Sequence, residues 1–267
     1  AYGKRGEVYQ SIDLLKSLED YHYALSLHRG DFLPLLLRFL GNVYNRAGFK
    51  SKADFYSHES YALDRDSMNY TLRSAFYEET VGNFENALNL YKRYYAQDTS
   101  NIYALWYIGN IYVYLEQYDM AIEWFRRLLK HPERPAFSNV VKYNRIGLAY
   151  WHNGYKEDAR KYFDKHVDIL TNLDELGRTA GDPCRNAYEI AGVQAFLGEP
   201  DDVYEKLRQA GLCEKWDRYM RMLVNNDAMF RQYKEDPVFQ SFVKDVEVKY
   251  LTEHERIRQW LEENGML

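Results

Sequence analysis

The sequence predicts an all-α fold in which pairs of helices stack side by side as a right-handed superhelical solenoid. Small residues recur every 34 positions in two separate columns, Gly41, Ala75 and Gly109, and Ala53, Ala87 and Ala121. Between them, apolar residues fall at helical spacing. The 267 residues include only 6 Pro and 15 Gly, and 46% are hydrophobic, so long helices and a core are both expected.

The first three units each predict two helices joined by a short turn. Residues 36–47 form an amphipathic pattern, and Gly48 is expected to end that helix because glycine accepts positive φ. The second unit turns at Gly82, and the third turns around Glu116. Each turn is followed by a second amphipathic stretch.

Two further units follow at wider spacing. The fourth unit contains Gly147, Tyr150, Gly154, Ala159 and Phe163. The prolines between His131 and Pro135 predict an interruption before it, since proline breaks helices. A weaker fifth unit uses Ala191, Gly198 and Val203, after a loop expected between Gly177 and Pro183.

This pattern resembles the tetratricopeptide repeat family. Its units carry a small residue, an aromatic residue three places later, Gly after four more, Ala after another five, and an aromatic residue four places beyond. The fourth unit matches all five places, whereas the first has Ser57 at the last aromatic place and the second has Glu78 at the first. The resemblance covers residues 34–210 and implies about five repeats, with the first helix of each pair lining a concave surface.

The two ends depart from the repeat. Residues 1–33 are expected to supply an N-terminal helix, a degenerate half-repeat. Residues 211–267 are expected to form helices that cap the last repeat, because a solenoid must cover its final apolar face. A partner-binding tail helix is the alternative. Residues 226–239 resemble segments that follow repeats in bacterial regulatory proteins, and the chain begins with Ala1. A second hypothesis is therefore a sensory or regulatory part of a larger bacterial protein.

Charge and hydropathy exclude several classes of partner. The net charge is -5, with 35 basic and 40 acidic residues intermixed, whereas nucleic-acid binding needs concentrated Lys and Arg. No apolar run is long enough for a membrane span. Repeats that bind chaperone C-terminal tails use a set of Lys, Asn, Asn, Lys and Arg. Here only Asn42 and, by substitution for Lys, Arg38 correspond, whereas Arg73, Tyr103 and Tyr107 fill the other three places, so binding of such tails is disfavoured.

No catalytic or metal-binding motif is found. Phosphate loops, nucleophile elbows and zinc-protease motifs are missing, and the seven histidines are dispersed. We therefore predict no cofactor, no metal and no enzymatic activity. An enzyme with a groove active site around His152 and Glu79 remains a third hypothesis.

The two cysteines, Cys184 and Cys213, do not form a CxxC pair. The favoured interpretation is that both are small buried apolar residues. A disulfide in an exported protein stays open, so both the cytoplasm and the periplasm are compatible with the sequence.

The predicted function is a non-catalytic scaffold that binds a protein or peptide in its concave groove. The resemblance places aromatic plates with amide and guanidinium groups on that surface, which are residue types common at binding hot spots. The predicted contact residues are Arg38, Asn42, Arg46, Phe76, Tyr103, Trp106, Asn110, Tyr114, Asn144, Trp151, Arg185 and Tyr188.

Overall fold

A computed structural model describes residues 2–9, 13–27, 30, 32–131, 142–175, 183–214 and 216–267. Within these residues all regular structure is helical, and the predicted all-α fold of paired helices is confirmed. The predicted interruption at Pro132 and Pro135 and the predicted loop over residues 177–182 lie outside the described residues. None of the described helices combines the length and the apolarity that crossing a membrane would require.

The chain divides into two compact units. The first comprises Ala1–Val81, Glu214–Asn225 and Lys244–Leu267. Its helices are α1 (Tyr2–Tyr9), α2 (Leu14–Leu27), α3 (Leu33–Ala47), α4 (Lys50–Asp64) and α5 (Ser67–Thr80), together with most of α13 (Arg218–Asn226) and the second half of α14 (Pro237–Glu263).

The second unit comprises Gly82–Cys213 and Asn226–Val243. Its helices are α6 (Phe84–Gln97), α7 (Ile102–Tyr114), α8 (Tyr118–Lys130), α9 (Tyr143–His152), α10 (Lys156–Glu175), α11 (Pro183–Leu197) and α12 (Pro200–Gly211), followed by a 3₁₀ helix (Ala228–Tyr233) and the start of α14.

The turns between paired helices fall at the repeat places. The backbone has positive φ at Gly48, Gly82, Glu116, Gly154 and Gly198. At Gly48 the need for glycine is twofold, because φ is +93° and a Cβ would collide with the Tyr250 hydroxyl. Glu116 reaches φ +57° in the third repeat without glycine, as the predicted turn requires.

The core of the first unit joins both ends of the chain. Leu18 of α2 and Leu40 of α3 are fully buried together with Ile257 and Leu261 of α14. In the second unit, the start of α14 contacts α11, where Phe242 stacks on Tyr188 with ring centroids 5.8 Å apart. The second half of α14 therefore completes the core around α2 and α3.

Candidate functional site

In the second unit, the aromatic residue at the last place of the repeat pattern fills the space between packed helices. Phe125 and Phe163 are completely buried. A Cβ on Gly109 would collide with the Phe125 ring, and a Cβ on Gly147 with the Phe163 ring. The glycine at the small place of these repeats therefore leaves the room that the ring at the last aromatic place occupies.

This aromatic residue also reaches the first helix of the next repeat. Phe163 of α10 lies 5.5 Å, centroid to centroid, from Phe196 of α11. Tyr91 of α6 stacks on Tyr107 of α7 at 4.8 Å. Such pairs stabilise the stacking of consecutive repeats beyond their burial of apolar area.

In the first unit Ser57 occupies this place, and a small cleft lies beside it. It lies between α3, α4 and α5. The lining residues are Gly41, Asn42 and Asn45 of α3, Ala53, Asp54, Ser57 and His58 of α4, and Tyr70, Arg73, Ser74, Phe76 and Tyr77 of α5. We call this space the Ser57 cleft.

A second, smaller hollow adjoins the Ser57 cleft. The two spaces share Ser57, Tyr70 and Arg73, and the extension continues towards Arg38 and Asn69. Together they form one continuous depression.

One end of this depression is held by an ion-pair network. The Arg38 guanidinium of α3 lies 3.0 Å from the Asp66 carboxylate and 3.4 Å from that of Asp64. Asp66 also accepts a hydrogen bond from the Asn69 backbone N–H and so caps α5. Because one carboxylate serves both helices, the network sets the spacing of α3 and α5.

The polar wall is organised by hydrogen bonds. The Asp54 carbonyl oxygen lies 2.9 Å from Nδ1 of His58 and can only accept, so Nδ1 donates. In the neutral ring Nε2 then accepts from the Tyr70 hydroxyl, 2.9 Å away. Burial raises the pKa of Tyr70, which keeps that hydroxyl protonated as the donor. Arg73 donates from Nε to the Asn69 amide oxygen at 2.9 Å.

Three of the predicted contact residues, Arg38, Asn42 and Phe76, line the cleft or its extension. Arg46 lies in the same unit, and its Nε donates to the Asp217 carboxylate at 2.7 Å. Phe76 also stacks on Tyr219 of α13, with ring centroids 6.0 Å apart. The chain's own residues at the start of α13 therefore occupy part of the predicted surface.

Four predicted contact residues are buried in the second unit, and their placement on an open surface is corrected. These are Trp106, Asn110, Asn144 and Tyr188, each at most 5% exposed. Trp106 stacks on Phe125 at 5.5 Å. The Tyr188 hydroxyl donates to Asp227, which also accepts two hydrogen bonds from Arg145. The segment that begins at Asp227 thus covers this face of α9 and α11.

The other four predicted contact residues lie in the second unit without forming a cluster. Tyr103 is 43% exposed on α7. Half-buried Tyr114 stacks on Phe84 at 4.8 Å. Arg185 donates to Glu189 at 2.9 Å, and Trp151 lies against Phe196 at 5.5 Å.

The two residues of the catalytic hypothesis lie in different units. Glu79 is buried in the first unit at 3% exposure. His152 belongs to the second unit, where its ring stacks on Tyr118 at 3.9 Å and burial lowers its pKa. Within the described residues, no group of three His, Cys, Asp or Glu side chains is arranged to hold a metal ion.

Cys184 and Cys213 form a disulfide, with their Cα atoms 5.9 Å apart. It joins the first turn of α11 to the residues just after α12. The favoured interpretation of two unlinked buried residues is therefore wrong, and the alternative of a disulfide is the one that the structure contains.

Sequence analysis missed His58, Tyr70 and Tyr77 as members of the site. Their grouping depends on how α4 and α5 pack, which the repeat pattern alone does not specify. One signal was available, since Ser57 stands out as the departure from the aromatic place.

The stacked helix pairs, with a glycine packed against an aromatic ring sixteen residues later, define a helical-repeat protein. Residues 103–130 and 143–169 match the family model of the tetratricopeptide repeat. These segments correspond to the pairs α7–α8 and α9–α10. The chain therefore contains tetratricopeptide repeats in these two segments, as the sequence pattern predicted.

Solved structures with similarity to the chain include a crystal structure of MamA, 22% identical, covering 64% of this chain and 96% of that chain with a TM-score of 0.44. A PilF structure from Pseudomonas aeruginosa is 16% identical and covers 86% of this chain and 98% of that chain, with a TM-score of 0.49. No curated protein sequence matches the chain significantly.

Proposed function

We propose that the first unit binds a peptide segment of a partner protein in the Ser57 cleft and catalyses no reaction on it. Tetratricopeptide repeats support a protein-interaction scaffold in general terms. The observation that supports this particular site is a cleft lined by both polar and aromatic side chains, beside the place where the first repeat has Ser57 and no aromatic residue.

The lining provides the chemistry for an extended peptide. The Asn42 amide offers both a donor and an acceptor to a peptide backbone. Arg73 brings a guanidinium group and Asp54 a carboxylate, so the cleft accommodates polar groups of either sign. Phe76 and Tyr77 supply rigid aromatic surface, the kind that dominates the energy of interfaces.

Selection of random peptides displayed on phage, with the full chain as bait, tests this site. Peptides that bind the wild type should bind the double variant Asn42→Ala/Arg73→Ala about tenfold or more weakly, because direct hydrogen bonds are lost. Arg93→Ala, which removes an exposed guanidinium on α6, is the matched control and should bind as the wild type does. Equal binding by all three proteins contradicts the proposed site.

We also infer that the protein works in an oxidising compartment. The Cys184–Cys213 disulfide is the reason, because disulfides persist outside the reducing cytosol. Alkylation of the native protein without reductant, followed by mass spectrometry, should leave both cysteines unmodified. Complete alkylation of protein taken directly from cells contradicts this compartment.

A further inference from the structure

We propose that the second unit contains a binding pocket for a small aromatic carboxylic acid. The pocket lies at the C-terminal ends of α9 and α11, against the 3₁₀ helix. All of its lining residues belong to the second unit, so this site is independent of the Ser57 cleft. The lining residues are His152, Phe196, Ala228, Met229, Arg231 and Gln232.

The size of the pocket suits a molecule with one ring. Its volume is about 230 Å³. An apolar cavity of about 150 Å³ in a protein is enough to bind benzene, so a ring with a short substituent fits here. Pockets for drug-sized molecules have volumes of about 300 Å³ or more, which favours a smaller ligand.

The walls of the pocket are held in place by contacts of the chain with itself. At the start of the 3₁₀ helix, the Asp227 carboxylate accepts a hydrogen bond from the Met229 backbone N–H at 3.0 Å. Near its end, Gln232 donates from Nε2 to the Ala195 carbonyl of α11. Between them, a Cβ added to Gly192 of α11 would lie 3.3 Å from Met229. The pocket is therefore formed in the free protein, as is usual for small-molecule sites.

Aromatic rings supply the apolar part of the lining. Phe196 is only partly buried, although its ring lies 5.5 Å from the rings of both Trp151 and Phe163. The His152 ring lies 6.2 Å from that of Phe196 and stacks on Tyr118 at 3.9 Å. A ligand ring in the pocket can make an offset or edge contact with Phe196, which stabilises it beyond the burial of apolar area.

The permanent charge among these six lining side chains is the guanidinium of Arg231. It is paired with Glu116, and the two side chains are 52% and 57% exposed. An ion pair that exposed contributes little to stability, so a ligand carboxylate can replace Glu116 at small cost. A guanidinium can bind a carboxylate through two parallel hydrogen bonds. Arg231 therefore favours a ligand that carries a carboxylate next to its ring.

His152 places a second polar group close to Arg231. Burial lowers the pKa of His152, the positive charge of Arg231 lowers it further, and Glu116 acts in the opposite direction. The neutral imidazole offers one N–H donor and one acceptor to the ligand. A carboxylate bound beside it would raise this pKa, because a negative charge favours the imidazolium. His152 can therefore report the charge of a bound ligand.

NMR titration of the full chain with phenylacetate tests the pocket. Two matched ligands separate its parts, since phenylacetamide keeps the ring without the charge and acetate keeps the charge without the ring. Phenylacetate should bind about tenfold or more tightly than either of them, because it alone uses both the apolar walls and Arg231. Equal binding of phenylacetate and phenylacetamide overturns the proposal, and so does the lack of phenylacetate binding at millimolar concentration.

Variants of the charged residues locate the ligand. Arg231→Gln should weaken phenylacetate binding about tenfold and leave phenylacetamide binding unchanged. Glu116→Gln should strengthen phenylacetate binding, because it frees Arg231. Arg208→Gln is the matched control, since it removes an exposed guanidinium paired with Glu205 on α12, and it should bind as the wild type does. Equal losses in Arg208→Gln and Arg231→Gln overturn the assignment to this pocket.

The His152 signal gives an independent readout. Its pKa is followed by proton NMR, with the resonance assigned by its absence in His152→Gln. Saturation with phenylacetate should raise this pKa and saturation with phenylacetamide should not, and an unchanged pKa with phenylacetate bound overturns the placement. Ala228→Phe should fill the pocket and abolish binding of both ligands. Where Ala228→Phe folds poorly, the variants of exposed Arg231 and Glu116 remain decisive.

A peptide that ends in phenylalanine carries the same ring and carboxylate as a small acid. A short peptide of this kind is therefore compared with phenylacetate in the same titration. The small acid should bind at least as tightly, because the pocket encloses little more than one ring. Tenfold tighter binding of the peptide would assign the pocket to the end of a partner protein and overturn the small-molecule site.

Discussion

At the scale of single residues, the last aromatic place of the repeat has opposite consequences in the two units. Phe163 is completely buried between α9, α10 and α11 and contacts Gly147 and Phe196. Ser57, at the same place in the first repeat, is only half-buried beside an open cleft. The identity of this one residue decides whether an aromatic ring packs between the helices of the repeat.

Alanine substitution at these two positions should therefore have very different costs. Phe163→Ala removes a buried ring and leaves a cavity, so we expect the free energy of unfolding to fall by about 3–5 kcal/mol. Ser57→Ala should change it by less than about 0.5 kcal/mol. Urea unfolding followed by circular dichroism measures both. Similar losses for the two variants would show that Phe163 does not play this packing role.

His22 gives a second residue-scale prediction, in the pH dependence of stability. Its Nε2 lies 2.6 Å from the Tyr44 hydroxyl, and its ring packs against Tyr56 and Trp260. Burial, with a smaller contribution from Lys52, lowers the pKa of His22 from 6.5 to about 4. Burial also raises the pKa of Tyr44, so the hydroxyl remains a donor to the neutral ring.

Because the folded pKa of His22 lies below the unfolded value, the unfolded chain binds a proton first as the pH falls. The neutral ring's contribution is complete above pH 6.5 and is lost between pH 6.5 and about 4, with a total of about 3 kcal/mol. Unfolding free energies of wild type and His22→Gln, compared across this range, isolate the effect from His166, whose pKa burial also lowers. Parallel pH profiles of the two proteins would contradict the assignment.

At the scale of elements, the C-terminal end of α3 depends on side chains far away in the sequence. The Ala47 carbonyl lies 2.7 Å from Nδ1 of His254, and the Gly48 carbonyl accepts from Arg218 at 3.2 Å. These contacts satisfy carbonyl groups that a helix end leaves without intrahelical partners. They also bring α13 and α14 against the same turn.

Gly48→Ala should break this junction. The substitution forces a side chain into positive φ, at a cost of about 1–2 kcal/mol, and also pushes it into the Tyr250 hydroxyl, for about 1–3 kcal/mol more. Gly82→Ala is the matched control, because φ is +79° there and no atom lies within 4 Å of the added Cβ. Thermal unfolding should show the larger decrease in Tm for Gly48→Ala, and equal decreases would contradict the packing of α14 on this turn.

The positions of the helices could be predicted from the sequence, whereas some of their contacts could not. The period of 34 residues locates the first three helix pairs, and the turns predicted at Gly48, Gly82 and Glu116 have positive φ in the structure. The burial of Tyr188 was not predictable in the same way, because its partner Asp227 lies 39 residues away, outside the repeat pattern. Ser57 could be recognised in the sequence as a departure from the repeat pattern. The cleft beside it could not be predicted, because its shape depends on how α5 packs.

At the scale of the whole molecule, the boundaries that the repeat pattern predicts differ from the boundaries of the two compact units. The repeat pattern divides the chain in linear order at residues 33 and 210. The compact units are discontinuous, because the first combines Ala1–Val81 with Glu214–Asn225 and Lys244–Leu267. A linear repeat pattern carries no information on where a non-repeating C-terminal helix returns.

This discontinuity predicts that fragments of the chain will fold unequally. Residues 1–81 alone lack Ile257 and Leu261, which are completely buried in the core of the first unit. Losing such side chains costs about 2–5 kcal/mol each, comparable to the roughly 5–15 kcal/mol that stabilises a whole domain. Residues 82–243 retain every segment of the second unit, including the Arg145–Asp227 ion pair and the disulfide.

We expect cooperative thermal unfolding from fragment 82–243 and none from fragment 1–81, as measured by circular dichroism. Cooperative unfolding of fragment 1–81 on its own would show that α14 is dispensable to the first unit.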